Sequence, residues 1–293
     1  MTHFTKPRLF MMLSMTIFGT ISIFVRYLPL SSGEIALYRS VMAALPIFIV
    51  LLCTKQKLRL DAWKRQGLLL MLSGLALGLN WILLFEAYQH TTVSTATLCY
   101  YVAPVLVTVI SPLLFREKMT KSQIVCFVMS TVGILLITGF RDLHTDGLGI
   151  ALGLGAAVFY ACMVLLNKGI RGVSGLQRTF WQFVSASIVL LPYVACSGGF
   201  HLDALDGKGW LCLLVVGLVH TALAYCLYFA AIGKLTGQQI AILSYIDPLA
   251  AVLISVFVLS EEMTLLQAVG GLLILVFSLW NELATNKQRN LSC

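Results

Sequence analysis

Charge is what this sequence is short of. Only 11% of its 293 residues are Asp, Glu, Lys or Arg, against roughly 25% in soluble domains. So few charges cannot cover a water-facing surface of this size. With a mean hydropathy of +0.92, that excludes a soluble globular protein and points to a chain crossing a membrane several times. Catalytic signatures are missing too. There is no HExxH, no GxSxG and no Gly-rich phosphate loop, which leaves metalloprotease, hydrolase and nucleotide-driven pump readings without their motifs. His and carboxylate residues do not cluster at ligand spacing, so no metal, no cofactor and no enzyme activity are expected. Eight cysteines occur without a CxxC pair, mostly in apolar stretches, and read as small apolar residues. A net charge of +8 would suggest nucleic acid in a soluble chain, but the placement of the basic residues explains it better.

What is there is a series of long apolar runs. A spanning helix needs about 20 mostly apolar residues. On that rule the chain holds ten candidate spans, at 8–28, 35–54, 66–88, 93–115, 122–140, 147–168, 177–197, 209–231, 238–260 and 264–283. The first has a basic start but no A-x-A site, so it is expected to be a retained helix rather than a removed signal. Loops are short and leave no room for a separate soluble domain. If the N-terminus is cytoplasmic, sixteen of the twenty Lys and Arg residues fall inside and four, Arg26, Arg39, Arg141 and Lys208, fall outside. The positive-inside rule then places both termini in the cytoplasm and the chain in the cytoplasmic (inner) membrane.

The chain also repeats itself. The stretch "WILLFEAYQHTTVSTATLCYYVAPVLVTVISPLLFREKMTKSQ" from Trp81 aligns without a gap to "YCLYFAAIGKLTGQQIAILSYIDPLAAVLISVFVLSEEMTLLQ" from Tyr225, at an offset of 144. Phe85 falls on Phe229, Thr92 on Thr236, Tyr101 on Tyr245, Pro104 on Pro248 and Glu117 on Glu261. Ten spans are therefore five plus five, residues 1–143 and 144–293. An odd number per half forces opposite orientations, so the expected fold is an all-α membrane protein of ten transmembrane helices in two inverted-topology repeats. The basic loop "FREKMTK" has a counterpart, "LSEEMTLL", stripped of basic residues, as inversion and the positive-inside rule together require.

With these features the sequence resembles the drug/metabolite transporter superfamily, specifically its EamA type. The resemblance rests on the Tyr-x-x-Pro in spans four and nine, each followed by an acidic residue and Met-Thr at the helix end, and on Arg39 early in span two within "LYRSVMAALPIF". It covers essentially the whole chain. It implies ten helices in two inverted halves and a transport function. For substrate it implies only a range: amino acids or drugs exported, or metabolites taken up. Asp247 departs from the apolar residue expected before Pro248.

Pro104 and Pro248 each remove one helical donor and free the carbonyl four residues earlier, at Tyr100 and Ser244. In lipid a freed carbonyl must find a partner or line a cavity. The prolines read either as paired helix breaks around a midplane site or as simple kinks. Asp247 lies deep in an apolar span, where a carboxylate costs about 2.5–3.5 kcal/mol to insert. It is a candidate to carry a proton or to meet a cationic substrate; a structural polar contact is the plainer reading. His220, mid-span, can carry a proton, donate to a substrate or satisfy an interhelical hydrogen bond. Glu86 falls near the outer end of span three, a candidate for an outer vestibule. Arg39 either pairs with Glu34 and snorkels outward, or attracts a substrate carboxylate. Trp81, Tyr225, Tyr101 and Tyr245 are repeat-related aromatics that suit an amphipathic or cationic organic substrate, and Asn80 adds a polar group. Tyr245 and Asp247 stand about 200° apart on an ideal helix, so both face one cavity only if the proline unwinds the turn. GxxxG spacing at Gly74/Gly78 and Gly149/Gly153 suits close helix packing.

The expected function is thus a secondary transporter of a small organic metabolite, with an amino acid first, a quaternary amine or cationic drug second, and a membrane-embedded enzyme as the disfavoured other class. Its expected partners are that small molecule, the lipid bilayer and protons as a coupling ion, with no nucleic acid and no obligate protein partner.

Overall fold

The computed structural model describes residues 6–54, 60–115, 121–138, 143–232, 234–235, 240 and 243–291. Among them there are helices and connecting turns and no strand. That is what an apolar environment dictates, since a helix satisfies its own backbone groups. The helices are α1 (Lys6–Gly19), α2 (Ile21–Arg26), α3 (Ser32–Cys53), α4 (Leu60–His90), α5 (Val93–Tyr100), α6 (Ala103–Phe115), α7 (Lys121–Thr138), α8 (Leu143–Gly169), α9 (Gly175–Cys196), α10 (Gly207–Leu214), α11 (Ala224–Ile232), α12 (Ile246–Phe257) and α13 (Leu265–Leu291). A π-helical segment, Val215–Leu223, joins α10 to α11.

Among the described residues, six stretches are long and apolar enough to cross a membrane: Lys6–Arg26, Ser32–Cys53, Gln66–His90, Gly147–Gly169, Gly175–Cys196 and Gly207–Ala231. Four shorter apolar helices accompany them: Val93–Val107, Ile124–Gly133, Ile246–Phe257 and Leu265–Trp280. Their starts are capped locally. Ser31 accepts from the Glu34 amide while the Glu34 carboxylate accepts from the Ser31 amide, a reciprocal capping box. Ser174 caps the start of α9, its side chain accepting from the Gln177 amide. The expected loop "FREKMTK" lies largely outside the described residues, as does Thr236.

The helices pack in a recurring set of pairs. α4 lies against α8 and α9, α3 against α9 and the π-helical segment, α1 against α11 and α12, α5 against α8 and α12, and α7 against α13. Glycines let two of these pairs approach: a Cβ at Gly74 on α4 would meet Ser185 Cβ of α9 at 2.5 Å, and one at Gly149 on α8 would meet Thr91 at 2.6 Å. The main core gathers Phe85, Phe183, Ile47, Leu51, Leu190 and Leu213 between α3, α4, α9 and α10. Large apolar side chains such as Leu45, Leu68, Phe257 and Leu265 remain exposed, an arrangement suited to lipid contact. The described cysteines are all free thiols.

Candidate functional site

Between the helices lies a cavity of about 1200 Å³. Arg39, Asn80, Trp81, Tyr101, Pro104, Tyr225, Tyr245 and Asp247 all line it, while His220 and Pro248 do not. Two interruptions of the helical backbone shape it. The first separates α5 from α6 at Tyr101 and Val102, where the Val102 amide turns to the Cys99 carbonyl at 3.2 Å instead of reaching four residues back. The second is at Tyr245, a turn residue immediately before α12. Each falls two or three residues before its proline, as removal of a helical donor allows. The second break is what lets Tyr245 and Asp247 face the same space.

Asp247 meets the other half of the chain there. Tyr101 Oη donates to Asp247 Oδ2 at 2.8 Å, and the Tyr101 and Tyr245 rings are 6.3 Å apart. Behind Asp247 the backbone is gripped by α1: a Cβ at Gly19 would meet the Asp247 carbonyl oxygen at 2.5 Å. No side chain but hydrogen fits at that position.

Arg39 is buried, 4% exposed. Its guanidinium carbon stands 4.1 Å from the centre of the Trp81 ring and 5.3 Å from that of Phe85, a cation–π arrangement that offsets part of the cost of burial. Nε donates to Thr221 Oγ1 at 3.1 Å. The pairing with Glu34 open from sequence is not formed. Glu34 is used up in capping Ser31 and in accepting from the His201 amide at 2.7 Å. Asn80 spends its amide on the Ala156 carbonyl of α8, at 2.8 Å.

His220 stands apart from the cavity. Its Nε2 is 2.9 Å from Thr20 Oγ1, its Nδ1 is 3.2 Å from the Val215 carbonyl, and its ring packs on Phe24. Both nitrogens are engaged because the π-helical turn faces the ring toward α1 and α2. Glu86 does not line the cavity either. It accepts from Ser32 Oγ at 2.6 Å and lies 3.3 Å from His90 Nε2, tying the end of α4 to the start of α3.

The two ends of the cavity differ. At one, its lining reaches Thr54 after α3, Asn167 near the end of α8 and Ser174 and Arg178 at the start of α9. At the other, where α2, α4 and α12 terminate, a polar network ties the chain together. Arg26 pairs with Glu261 at 2.5 Å and donates to the carbonyls of Tyr88 and Thr91. Glu261 also accepts from the Val93 amide at 2.8 Å and from the Ser255 hydroxyl.

Comparison with known proteins decides the family. The model of the EamA-like transporter family matches twice, over residues 5–139 and 147–281. The chain belongs to the EamA-like transporter family. It is 30% identical over 269 residues to the "Uncharacterized transporter YxxF" of Bacillus subtilis, covering 90% of this chain and 85% of that one. It is 27% identical over 172 residues to a "Probable amino-acid metabolite efflux pump" of Salmonella typhimurium, covering 55% and 58%. Both names are those of transporters, not enzymes. A solved crystal structure superposes with a TM-score of 0.64 at 14% identity, covering 94% of this chain and 96% of the other. At that identity the likeness speaks for the fold alone.

In this EamA-type chain the structure also brings forward residues that sequence reading passed over. Tyr100 stacks edge-on against Tyr160 of α8, and Phe18 against Tyr225 of α11, at 5.4 and 5.1 Å. Tyr100 was within reach of sequence, as the neighbour of Tyr101. Phe18, Tyr160 and Thr221 carried no signal, because they reach the site only through helix pairings between the two halves.

Proposed function

We propose that this chain is a secondary transporter moving a small organic metabolite, an amino acid first, across the cytoplasmic membrane by alternating access. One observation carries the reading. Arg39 and Asp247 line the same cavity, and among the described residues neither forms an ion pair. Two opposite charges held among aromatic rings complement a zwitterion, the cation facing a carboxylate and the carboxylate an ammonium. The cavity volume of about 1200 Å³ leaves room for such a solute with water. The amino-acid assignment is supported by the name of the Salmonella relative. A quaternary amine or cationic drug is the second reading, favoured by Asp247 next to the Tyr101 and Tyr245 rings.

The proposal includes ten spans in two inverted repeats, 1–143 and 144–293, with both termini cytoplasmic. Six long and four shorter apolar helices support the number, and the two family matches support the division. The packing supports a two-fold relation. Exchanging the halves turns the α4–α8 contact into the α11–α1 contact and α6–α8 into α12–α1, and leaves α3–α9 and α7–α13 in place. In this orientation the cavity opens toward the cytoplasm and the Arg26–Glu261 network closes the outer end. Asp247 also stands where a proton can be held, so protons are the proposed coupling ion.

The test has two parts. Purified protein is screened by thermal shift against amino acids, amines, nucleosides and sugars, since a solute that binds the folded state raises its melting temperature. Labelled counterflow in proteoliposomes then follows any that do. Stabilisation by sugars or nucleosides alone overturns the zwitterion reading, and uptake without counterflow makes the protein a channel. Single cysteines in a cysteine-free version settle topology: Arg171→Cys should label from the cytoplasm, Asp206→Cys and Glu262→Cys from outside. Labelling of Glu262→Cys from the cytoplasm defeats the inverted arrangement.

A further inference from the structure

Arg39 is held by a segment outside the motifs that carry the family resemblance. Its one hydrogen bond among the described residues is to Thr221, a side chain with no exposure at all. Thr221 sits in the π-helical segment Val215–Leu223. In an α-helix a threonine hydroxyl reaches the carbonyl three or four residues back. Here it donates to the Val216 carbonyl, five residues back, at 2.8 Å. That bond uses the only hydroxyl proton and leaves the lone pairs of Oγ1 for Arg39 Nε, 3.1 Å away. The Trp81 ring, 4.1 Å from the guanidinium carbon, covers one face of the group. Held at Nε by one contact and at its face by another, the guanidinium has a set orientation. Neither of its terminal nitrogens has a partner among the described residues, and the residue lines the cavity.

From this arrangement we infer that Thr221 is a positioning residue, placed by the π-helical turn, which orients Arg39 so that both terminal nitrogens form a fork for a substrate carboxylate in the cavity. The inference rests on the reading of the cavity as a site for a carboxylate-bearing solute. It also gives the π-helical segment a purpose: such turns gather at functional sites, and an α-helical turn would carry Thr221 round to another direction. A guanidinium fork matches a carboxylate through two parallel bonds, so its aim matters as much as its charge.

The test compares acid with amide. Wild-type protein is screened by thermal shift against the twenty L-amino acids, and each that stabilises it is titrated beside its C-terminal amide. Wild type should prefer the acid. In Thr221→Val, which keeps the branched shape and loses the hydroxyl, that preference should fall about tenfold, with the affinity for the amide unchanged. Thr221→Ser should restore it. If Thr221→Val does not fold, Thr221→Ala carries the same comparison. A purely structural role would weaken acid and amide alike, and that result overturns the inference. So does an acid preference that survives both substitutions, which leaves the carboxylate site intact but not aimed by Thr221. Wild type that binds acid and amide equally, or none of the twenty, overturns the carboxylate reading itself.

Discussion

The two halves of the chain place the same Tyr-x-x-Pro at the cavity and make different use of it. In the first, Tyr101 precedes Pro104 and the residue before the proline is Ala103, buried in a small apolar cluster with Leu98, Cys99 and Ile150. In the second, Tyr245 precedes Pro248 and the residue before the proline is Asp247, which accepts a hydrogen bond from the Tyr101 hydroxyl across the interface. A second contrast lies one helix away. Leu77 of α4 sits in an uninterrupted helix, while its counterpart at the repeat offset, Thr221, sits in a π-helical turn and holds Arg39. The duplicated feature is the backbone break; the charge and its orientation belong to single positions. A proline acts on its own backbone wherever it stands, whereas a charge in an apolar span needs partners, and here both halves supply them: Tyr101 for Asp247, Trp81 and Thr221 for Arg39.

The contrast between the halves makes measurable differences. The largest effect is expected at Arg39. Arg39→Lys keeps the charge and loses the fork, and substrate counterflow should fall by roughly 100-fold or more with the protein still folded. Unchanged counterflow would remove Arg39 from the site.

Next comes the position before each proline. Asp247→Asn keeps the size and removes the charge. If Asp247 couples protons, exchange across liposomes should continue while a pH gradient no longer drives accumulation. If it binds an ammonium group, exchange and thermal stabilisation by substrate should both vanish. Ala103→Ser at the matching place should change transport by no more than about threefold. Equal losses at both positions would show that the two halves contribute alike.

Smaller losses are expected at the prolines. Pro104→Ala and Pro248→Ala each restore a helical donor, so melting temperature should hold or rise while transport falls. Pro248→Ala should lose more, about tenfold, because re-forming the turn swings Asp247 away from Tyr245. Normal transport in both variants would dispose of the paired-break site. Least affected should be Glu261→Gln, which loosens the tie to Arg26 at the closed end. Exchange should change by roughly threefold, in line with one partly buried pair, and a cysteine at Thr97, which lines the cavity, should become more reactive from the outer side. No change in that reactivity would deny the network a part in closure.

Much of this was legible without coordinates. Apolar run length disclosed the helices, because lipid leaves the backbone no other way to satisfy itself. A gap-free internal repeat and two prolines at one offset located both breaks, because proline's effect is local and needs no knowledge of neighbours. That Arg39, Tyr101, Tyr225 and Asp247 line one space was not legible, since it depends on which helices of the two halves meet. The same is true of His220, whose mid-span position suggested the cavity and whose ring instead packs on Phe24 beside Thr20. Nothing in "VVGLVHTAL" announces a π-helical register: the difference from an α-helix is about one residue per turn, and the partners it meets, Thr20 between α1 and α2 and Arg39 on α3, are distant in sequence. Composition, spacing and proline thus determined that this chain forms a helical, twice-repeated membrane protein with a broken helix in each half. Tertiary packing alone decided which charges share the cavity and which way Arg39 faces, because those follow from contacts between residues up to two hundred positions apart.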